Sequence, residues 1–348
     1  MTLRIVQWTT GNVGKQSVTA IARNPALELV GCYAWSPDKV GRDVGELCGL
    51  DPLGVTATDD VDALLALRPD CVVYNPMWQS IDELVRILGA GVNVVTTAAF
   101  INGRRLGPDR KRLVEACERG RSSLFGTGIS PGWAELLSIV LAGISDRIDK
   151  ITINEAAYTA GYDSPATEIP AGFGRPIDDP NLQAMTAEGT AVFSEAVAMV
   201  ADALGIELDD VVCVAEHAKT TTDLDLGSWQ IAAGCVAGVA ASWQGRVGDR
   251  TVVELNVRWK KAPILEPDWQ IEDGYVIEVQ GRPTLQAKLQ FLPPPDFHAE
   301  SIADFMVLGH IMTAMPAVNA IPIVVAAPPG IVSYSDLPLP LPRGLVRL

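Results

Sequence analysis

Histidine is scarce in this chain, with three in 348 residues: His217, His298 and His310. They are too few and too dispersed to suggest a metal centre, and no H-E-x-x-H or phosphate P-loop accompanies them, so no metal is expected. Basic residues are also in short supply. Twenty-seven Lys and Arg stand against 42 Asp and Glu, a formal charge of −15. That balance argues against nucleic acid or an anionic membrane as partner, since both need basic surface. There is no C-x-x-C. The cysteines (Cys32, Cys48, Cys71, Cys117, Cys213 and Cys235) are scattered, most of them in apolar runs such as Asp70-Cys71-Val72-Val73. Such residues are expected as small buried hydrophobes in a reducing compartment. The N-terminus has no leader-like apolar stretch. Leu226 to Gly245 carries no charge but contains two Gln, two Trp and four Gly, too polar for a spanning helix. The expectation is a cytoplasmic protein that does not enter the membrane.

What is present starts at once. Leu3-Arg4-Ile5-Val6-Gln7-Trp8 reads as a buried strand, Thr9 to Gly14 as a turn, and Lys15 to Arg23 as a helix. Strand, glycine turn and helix in that order suit a bound pyrophosphate. Gly11 admits the phosphates close to the backbone, Gly14 lets helix and strand pack closely, and free N–H groups at the helix start face the anion. Thr10, Gly11, Asn12, Val13 and Gly14 are therefore candidate cofactor residues. The first glycine of G-x-G-x-x-G is replaced by Thr9, so the fingerprint is incomplete.

Leu27 to Ala34 reads as the second strand of a βαβ unit. In NAD-binding versions an acid at its tip takes the ribose 2′-hydroxyl. Here the tip is Trp35-Ser36-Pro37-Asp38-Lys39, followed by Val40-Gly41-Arg42. Ser36, Lys39 and Arg42 suit a 2′-phosphate better, which favours NADP(H), while Asp38 keeps NAD(H) open. Helices and strands then alternate to Ser123–Thr127, the rhythm of a doubly wound parallel sheet. Asn75, Pro76 and Thr97 lie at strand ends, where such sheets bind ligands, and so are candidates to line the nicotinamide half. The alternative is that they merely cap helices.

Past about residue 145 the pattern changes. Thr251–Trp259 and Thr284–Phe291 alternate with period two, as antiparallel strands with one wet face do. Gly248-Asp249-Arg250 and Glu272-Asp273-Gly274 are expected hairpin turns. One long helix is expected over Leu182–Leu204, and another over Ser301–Met315 with Ile302, Phe305, Met306 and Met312 on one face, ending at Pro316. Tyr158 to Pro180 reads as a long irregular loop whose Tyr158, Tyr162 and Phe173 argue for an ordered, functional segment. The fold class expected is α/β: a Rossmann sheet plus a central α+β domain with a mostly antiparallel sheet.

Gly128-Ile129-Ser130-Pro131-Gly132 matches G-x-S-x-G, which raises a serine hydrolase at Ser130. It fails on one atom: the oxyanion hole uses the N–H after the serine, and Pro131 has none. Ser130 is instead expected as a helix N-cap with Pro131 as the first helical residue.

Thr10-Gly11-Asn12-Val13-Gly14, Ser36 to Arg42, Gly128 to Trp133, Tyr162-Asp163-Ser164-Pro165, Gly172-Phe173-Gly174 and Ala317 to Gly330 together resemble one group. These are the dihydrodipicolinate-reductase-like oxidoreductases that include 2,4-diaminopentanoate dehydrogenase and the native amine dehydrogenases. The resemblance implies a Rossmann domain over 1–140, a substrate and dimerisation domain over 141–300, and a segment 301–348 that returns to the first. It implies hydride transfer between a nicotinamide and an imine or carbonyl carbon, and a homodimer. It places Asn319 by the nicotinamide, and Ala98, Trp133, Tyr158, Tyr162 and Phe173 around the substrate. Amine dehydrogenases of this group resemble one another in a glutamate shortly after the strand expected at Asn93–Thr97. Here that stretch is Ala98-Ala99-Phe100-Ile101-Asn102, without an acid. Loss of a general acid or base typically costs about 100- to 10,000-fold in rate, so Glu155, Tyr158 and Tyr162 become the candidate proton carriers. The alternative is a cofactor-binding protein without turnover, a redox-linked sensor or scaffold.

Overall fold

In the computed structural model, which describes residues 2–343, β1 (Leu3–Trp8) leads through Thr9–Gly11 into α1 (Asn12–Arg23). β2 (Leu27–Tyr33), α2 (Val44–Leu47), β3 (Ala57–Thr58), α3 (Val61–Ala66), β4 (Cys71–Tyr74), α4 (Ile81–Gly89), β5 (Asn93–Thr96), α5 (Pro108–Gly120) and β6 (Ser123–Gly126) follow. Local chemistry sets several of these starts. Asp43, Asp60 and Ser80 accept backbone N–H groups at the first turns of α2, α3 and α4. Pro108 opens α5, where a missing N–H costs nothing.

After α6 (Ala134–Ala142) come β7 (Arg147–Tyr158), α7 (Pro165–Glu168), α8 (Leu182–Gly189), α9 (Val192–Ala203), β8 (Asp210–Lys219), β9 (Leu224–Asp225) and β10 (Gln230–Ile231). β11 (Val236–Val247), β12 (Arg250–Lys260), β13 (Gly274–Arg282) and β14 (Leu285–Leu289) complete this part, and α10 (Met306–Val325) and β15 (Gly330–Val332) end the chain's described elements. Two units result. One comprises the residues to Trp133 together with those from Val307 on, and the other Ala134–Met306.

The first unit holds a seven-stranded sheet in the order β15-β6-β5-β4-β1-β2-β3, parallel throughout. Its β3-β2-β1-β4-β5-β6 portion is the strand order of dinucleotide-binding sheets, with the switch point between β1 and β4. The second unit holds a six-stranded sheet, β14-β13-β7-β12-β11-β8, antiparallel except between β7 and β12. Val253, Leu255 and Val257 of β12 are buried, while Glu254, Asn256 and Arg258 on its other face are not. The α/β expectation, with a parallel and a mostly antiparallel sheet, holds.

Four local expectations do not. The helix expected over Leu182–Leu204 is two, α8 and α9. A Cβ on Gly189 would meet Ala171 backbone atoms at 2.7 Å, so chain crossing close to that glycine interrupts the helix. Glu272-Asp273-Gly274 is no hairpin turn, because β13 pairs with β7 and β14 rather than with β12. Pro131 is extended (φ −73°, ψ 146°) and Gly132 has φ 137°, so no helix begins there for Ser130 to cap; α6 starts at Ala134.

The C-terminal helix begins at Met306 and runs through Pro316 and Pro322. An internal proline costs about 3 kcal/mol. Burial of Ala314, Pro316, Ala317, Val318, Ala320, Ile321 and Val324 offsets this, each large apolar side chain contributing about 1.5–3 kcal/mol. α10 is long and apolar enough to cross a membrane by length and composition; these buried residues use that apolarity as core. The uncharged run Leu226–Gly245 contains β10 and most of β11, and Val236 to Ala241 is buried within the second unit.

Candidate functional site

In the first unit the candidate residues gather at the C-terminal ends of β1, β2, β4 and β5. α1 starts at Gly11 with no side-chain cap and no acid in its first turn, so its first N–H groups remain available to an anion. Thr10 is 2% exposed, yet its Oγ1 has no hydrogen-bond partner among the described residues. A buried hydroxyl without a partner in a phosphate-type turn is what a bound nucleotide would satisfy. Two glycines divide the remaining work. A Cβ on Gly14 would lie 2.4 Å from the Thr9 carbonyl oxygen, whereas one on Gly11 would meet nothing within 4 Å. Gly14 is therefore needed by the fold, and Gly11 leaves open space at the helix start.

Beneath the turn runs a hydrogen-bonded chain. Gln7 Nε2 donates to the Thr9 carbonyl at 2.9 Å and to Asn75 Oδ1 at 2.8 Å, and Asn75 Nδ2 donates to Thr97 Oγ1 at 2.8 Å. Asn75 and Thr97 are thus brought together with the glycine turn, and Pro76 follows Asn75 directly. Ala98 is buried at the β5 end, where its N–H donates to Thr96 Oγ1. Lys39 Nζ donates to the Thr10 carbonyl at 3.4 Å, which brings the β2 turn onto the glycine turn. Ser36 Oγ donates to Asp38 Oδ1, and Arg42 is exposed three residues beyond Lys39. Trp133 N–H donates to the Gly128 carbonyl, and the Gly132 position abuts Thr127, whose hydroxyl pairs with Tyr334. Asn319 is half-buried on α10 of the same unit.

In the second unit the aromatic candidates surround a cation that the sequence pattern did not single out. Lys261, whose side chain is fully buried, places Nζ 5.7 Å from the ring centres of both Tyr162 and Phe173 and 6.0 Å from that of Trp229. Nζ donates to the carbonyls of Thr159 (2.8 Å) and Tyr162 (2.7 Å) and pairs with Glu168 Oε1. One ammonium thus ties down three points of the segment after β7. Phe173 is 1% exposed and packs with Leu182, Val236 and Val239, so it offers no open face here. Tyr158 ends β7, its N–H donating to Asp273 Oδ1.

The two acids here differ sharply. Glu155 is engaged at both oxygens, by Trp259 Nε1 at 2.7 Å and the Tyr275 hydroxyl at 3.0 Å. Glu168 has Oε2 buried without a hydrogen-bond partner among the described residues, and so has Trp229 its Nε1. Burial pushes the Glu168 carboxyl up to about 7 and the Lys261 ammonium down, since for each group desolvation outweighs their pairing.

Sequence reasoning missed Gln7, Lys261, Glu168 and Trp229. A glutamine between Val6 and Trp8, at the apolar end of the first strand, was a signal for Gln7. Lys260-Lys261 at the end of an alternating strand was one for Lys261, since neighbouring side chains cannot both follow the wet face; both are buried, Lys260 Nζ donating to the Pro263 and Trp269 carbonyls.

The sequence matches two family models: dihydrodipicolinate reductase, N-terminus, over residues 5–100, and 2,4-diaminopentanoate dehydrogenase C-terminal domain, over residues 135–346. It is 30% identical over 351 residues to an amine dehydrogenase of Streptomyces virginiae, covering 96% of each chain. A 2,4-diaminopentanoate dehydrogenase of Acetoanaerobium sticklandii is 28% identical over 363 residues, covering 97% of this chain and 94% of that one. In fold the chain is similar to the solved structure of an amine dehydrogenase from Mycobacterium smegmatis, with a TM-score of 0.78 at 21% identity, covering 99% and 98% of the two chains.

Proposed function

The chain belongs to the 2,4-diaminopentanoate dehydrogenase family of NAD(P)-dependent oxidoreductases, and we propose that it is an NADP(H)-preferring member. Its substrate in this reading is a small, largely apolar imine or carbonyl compound. The observation that carries the reading is the turn after β1: an uncapped helix start at Gly11 beside the unpartnered hydroxyl of Thr10. A bound nicotinamide cofactor supplies the hydride. The chain's own part is to hold the pyrophosphate on Thr10, Gly11, Asn12 and Val13, with Gly14 keeping the helix close. Asn75, Pro76, Thr97 and Asn319 are assigned to the nicotinamide half. Ala98, Trp133, Tyr158 and Tyr162 are assigned to the substrate side, and Phe173, packed in the core of the second unit, supports the Tyr162 segment instead.

Proton handling needs a group other than Ala98. Glu155 has both oxygens engaged and Glu168 is closed in against Lys261, so Tyr158 and Tyr162 are the proton carriers of this proposal. The protein is taken to work as a homodimer in the cytoplasm.

The preference for NADP(H) rests on Lys39 and Arg42, since the Ser36 proton is already given to Asp38. Asp38 in the same turn favours the second reading, NAD(H) with this carboxylate on the ribose. The test is parallel titration of NADPH and NADH into wild type and a Lys39→Ala, Arg42→Ala double variant. Hydrogen bonds to charged groups are worth about 1.5–3 kcal/mol. NADPH affinity should therefore fall roughly 10- to 100-fold while NADH affinity stays unchanged. Equal weakening of both, or of neither, would remove the 2′-phosphate role.

A further inference from the structure

Thr9 has φ +71°, in the left-handed region, at the position where the dinucleotide fingerprint has its first glycine. A β-branched residue is poorly suited to that conformation, because its Cβ substituents crowd the backbone. Something must hold it there. The Thr9 carbonyl accepts from Gln7 Nε2 at 2.9 Å, and the same amide nitrogen is fixed by Asn75 Oδ1 at 2.8 Å on the neighbouring strand. Gln7 is fully buried within β1, where its side chain spans to β4, and Asn75 in turn holds Thr97 beyond β5. The Thr9 carbonyl is also the atom against which Gly14 packs, since a Cβ there would come within 2.4 Å of it.

We propose that Gln7 is a positioning residue that keeps the cofactor turn in the shape a glycine at position 9 would otherwise adopt unaided. It touches no cofactor. It acts through the Thr9 carbonyl, which sets both the direction of the turn and the approach of α1. The inference rests on the reading of this turn as the cofactor site. The compensation is reciprocal: with glycine at 9 the clamp is dispensable, and with threonine at 9 it is required.

The experiment is a double-mutant cycle read by NADPH fluorescence titration. Gln7→Leu keeps the side chain's size and removes the donor; it should weaken NADPH binding about tenfold or more. Thr9→Gly alone should bind within about threefold of wild type, and adding it to Gln7→Leu should restore affinity to the same range, a coupling that independent sites do not show. If Gln7→Leu alone does not fold, the double variant should. A double variant as weak as Gln7→Leu, or equally unfolded, would overturn the inference and leave Gln7 as core packing, which a glycine two residues away cannot repair. A Gln7→Leu variant that binds NADPH like wild type would overturn it too. Failure of wild type to bind either nicotinamide nucleotide would instead fell the reading of the turn.

Discussion

Gly11→Ala should lower NADPH affinity roughly 100-fold, by removing close backbone contacts to charged phosphate, while leaving the melting temperature within about 1 °C. The separation of the two effects is what makes it informative. Gly11 has φ −72°, which any residue adopts, and a Cβ there would meet nothing of the protein within 4 Å. The methyl group would project only into the space from which a pyrophosphate would reach the N–H groups of α1. Gly14→Ala is the control with the opposite signature. Its Cβ would stand 2.4 Å from the Thr9 carbonyl, so the turn or the helix must move. Overpacking of this kind costs about 1–3 kcal/mol, and this variant should melt several degrees lower. Isothermal titration and calorimetry on the two variants decide the matter. If Gly11→Ala binds NADPH as wild type does, the helix start is not the phosphate site.

Lys261→Met should strongly destabilise the second unit, and its damage should depend on pH. Nζ is shared by the Glu168 carboxylate and the carbonyls of Thr159 and Tyr162, in a position fully closed to solvent. Methionine replaces most of the length but leaves the carboxylate without a counterion. An uncompensated buried charge costs about 3–5 kcal/mol. Burial has already raised the Glu168 carboxyl from its ordinary 4.5 to about 7. The stability contributed by its proton is therefore complete below about pH 4.5 and is lost as pH rises through about 7. Without Lys261 the charged form is harder still to hold, so the loss deepens. The variant should melt within a few degrees of wild type at pH 5, and roughly 10 °C below it at pH 8. An equal depression at both pH values would show that Lys261 matters for its carbonyl contacts alone. No depression at pH 8 would show that the pair does not stabilise the fold.

What the sequence shows of this fold is set by how far apart in the chain the determining residues lie. The β1–turn–α1 unit, the alternation through β6 and the period-two strands were legible because each depends on residues a few positions apart. Thr9 was legible as a departure from the fingerprint but not as its conformational equal. That depends on Gln7 and on Asn75, which enters from another strand. The break between α8 and α9 is invisible in an apolar pattern that continues across it, because what interrupts the helix is backbone contact from residues 170 and 171. The prolines of α10 read as a stop because local propensity is unfavourable; the burial that overrides it belongs to the whole unit. Of the candidate site, the cofactor half was read largely from one continuous stretch. The Lys261, Glu168 and Trp229 cluster was not, since it assembles from a strand end, the short helix α7 and the turn between β9 and β10, which share no spacing. The absent acid at Ala98 was legible, and the buried Glu168 became visible only through its neighbours.

The most direct test of the central claim, turnover of an imine or carbonyl compound at the expense of a nicotinamide, is steady-state NADPH oxidation by the purified protein. The assay uses a panel of small apolar ketones and aldehydes, each with and without ammonium, and NADP⁺ reduction by the matching amines. The account predicts NADPH consumption with at least one carbonyl, faster in the presence of ammonium, and the reverse reaction with the corresponding amine. Tight NADPH binding with no consumption across the panel, with or without ammonium, would contradict it and identify the chain as a nucleotide-binding protein without turnover.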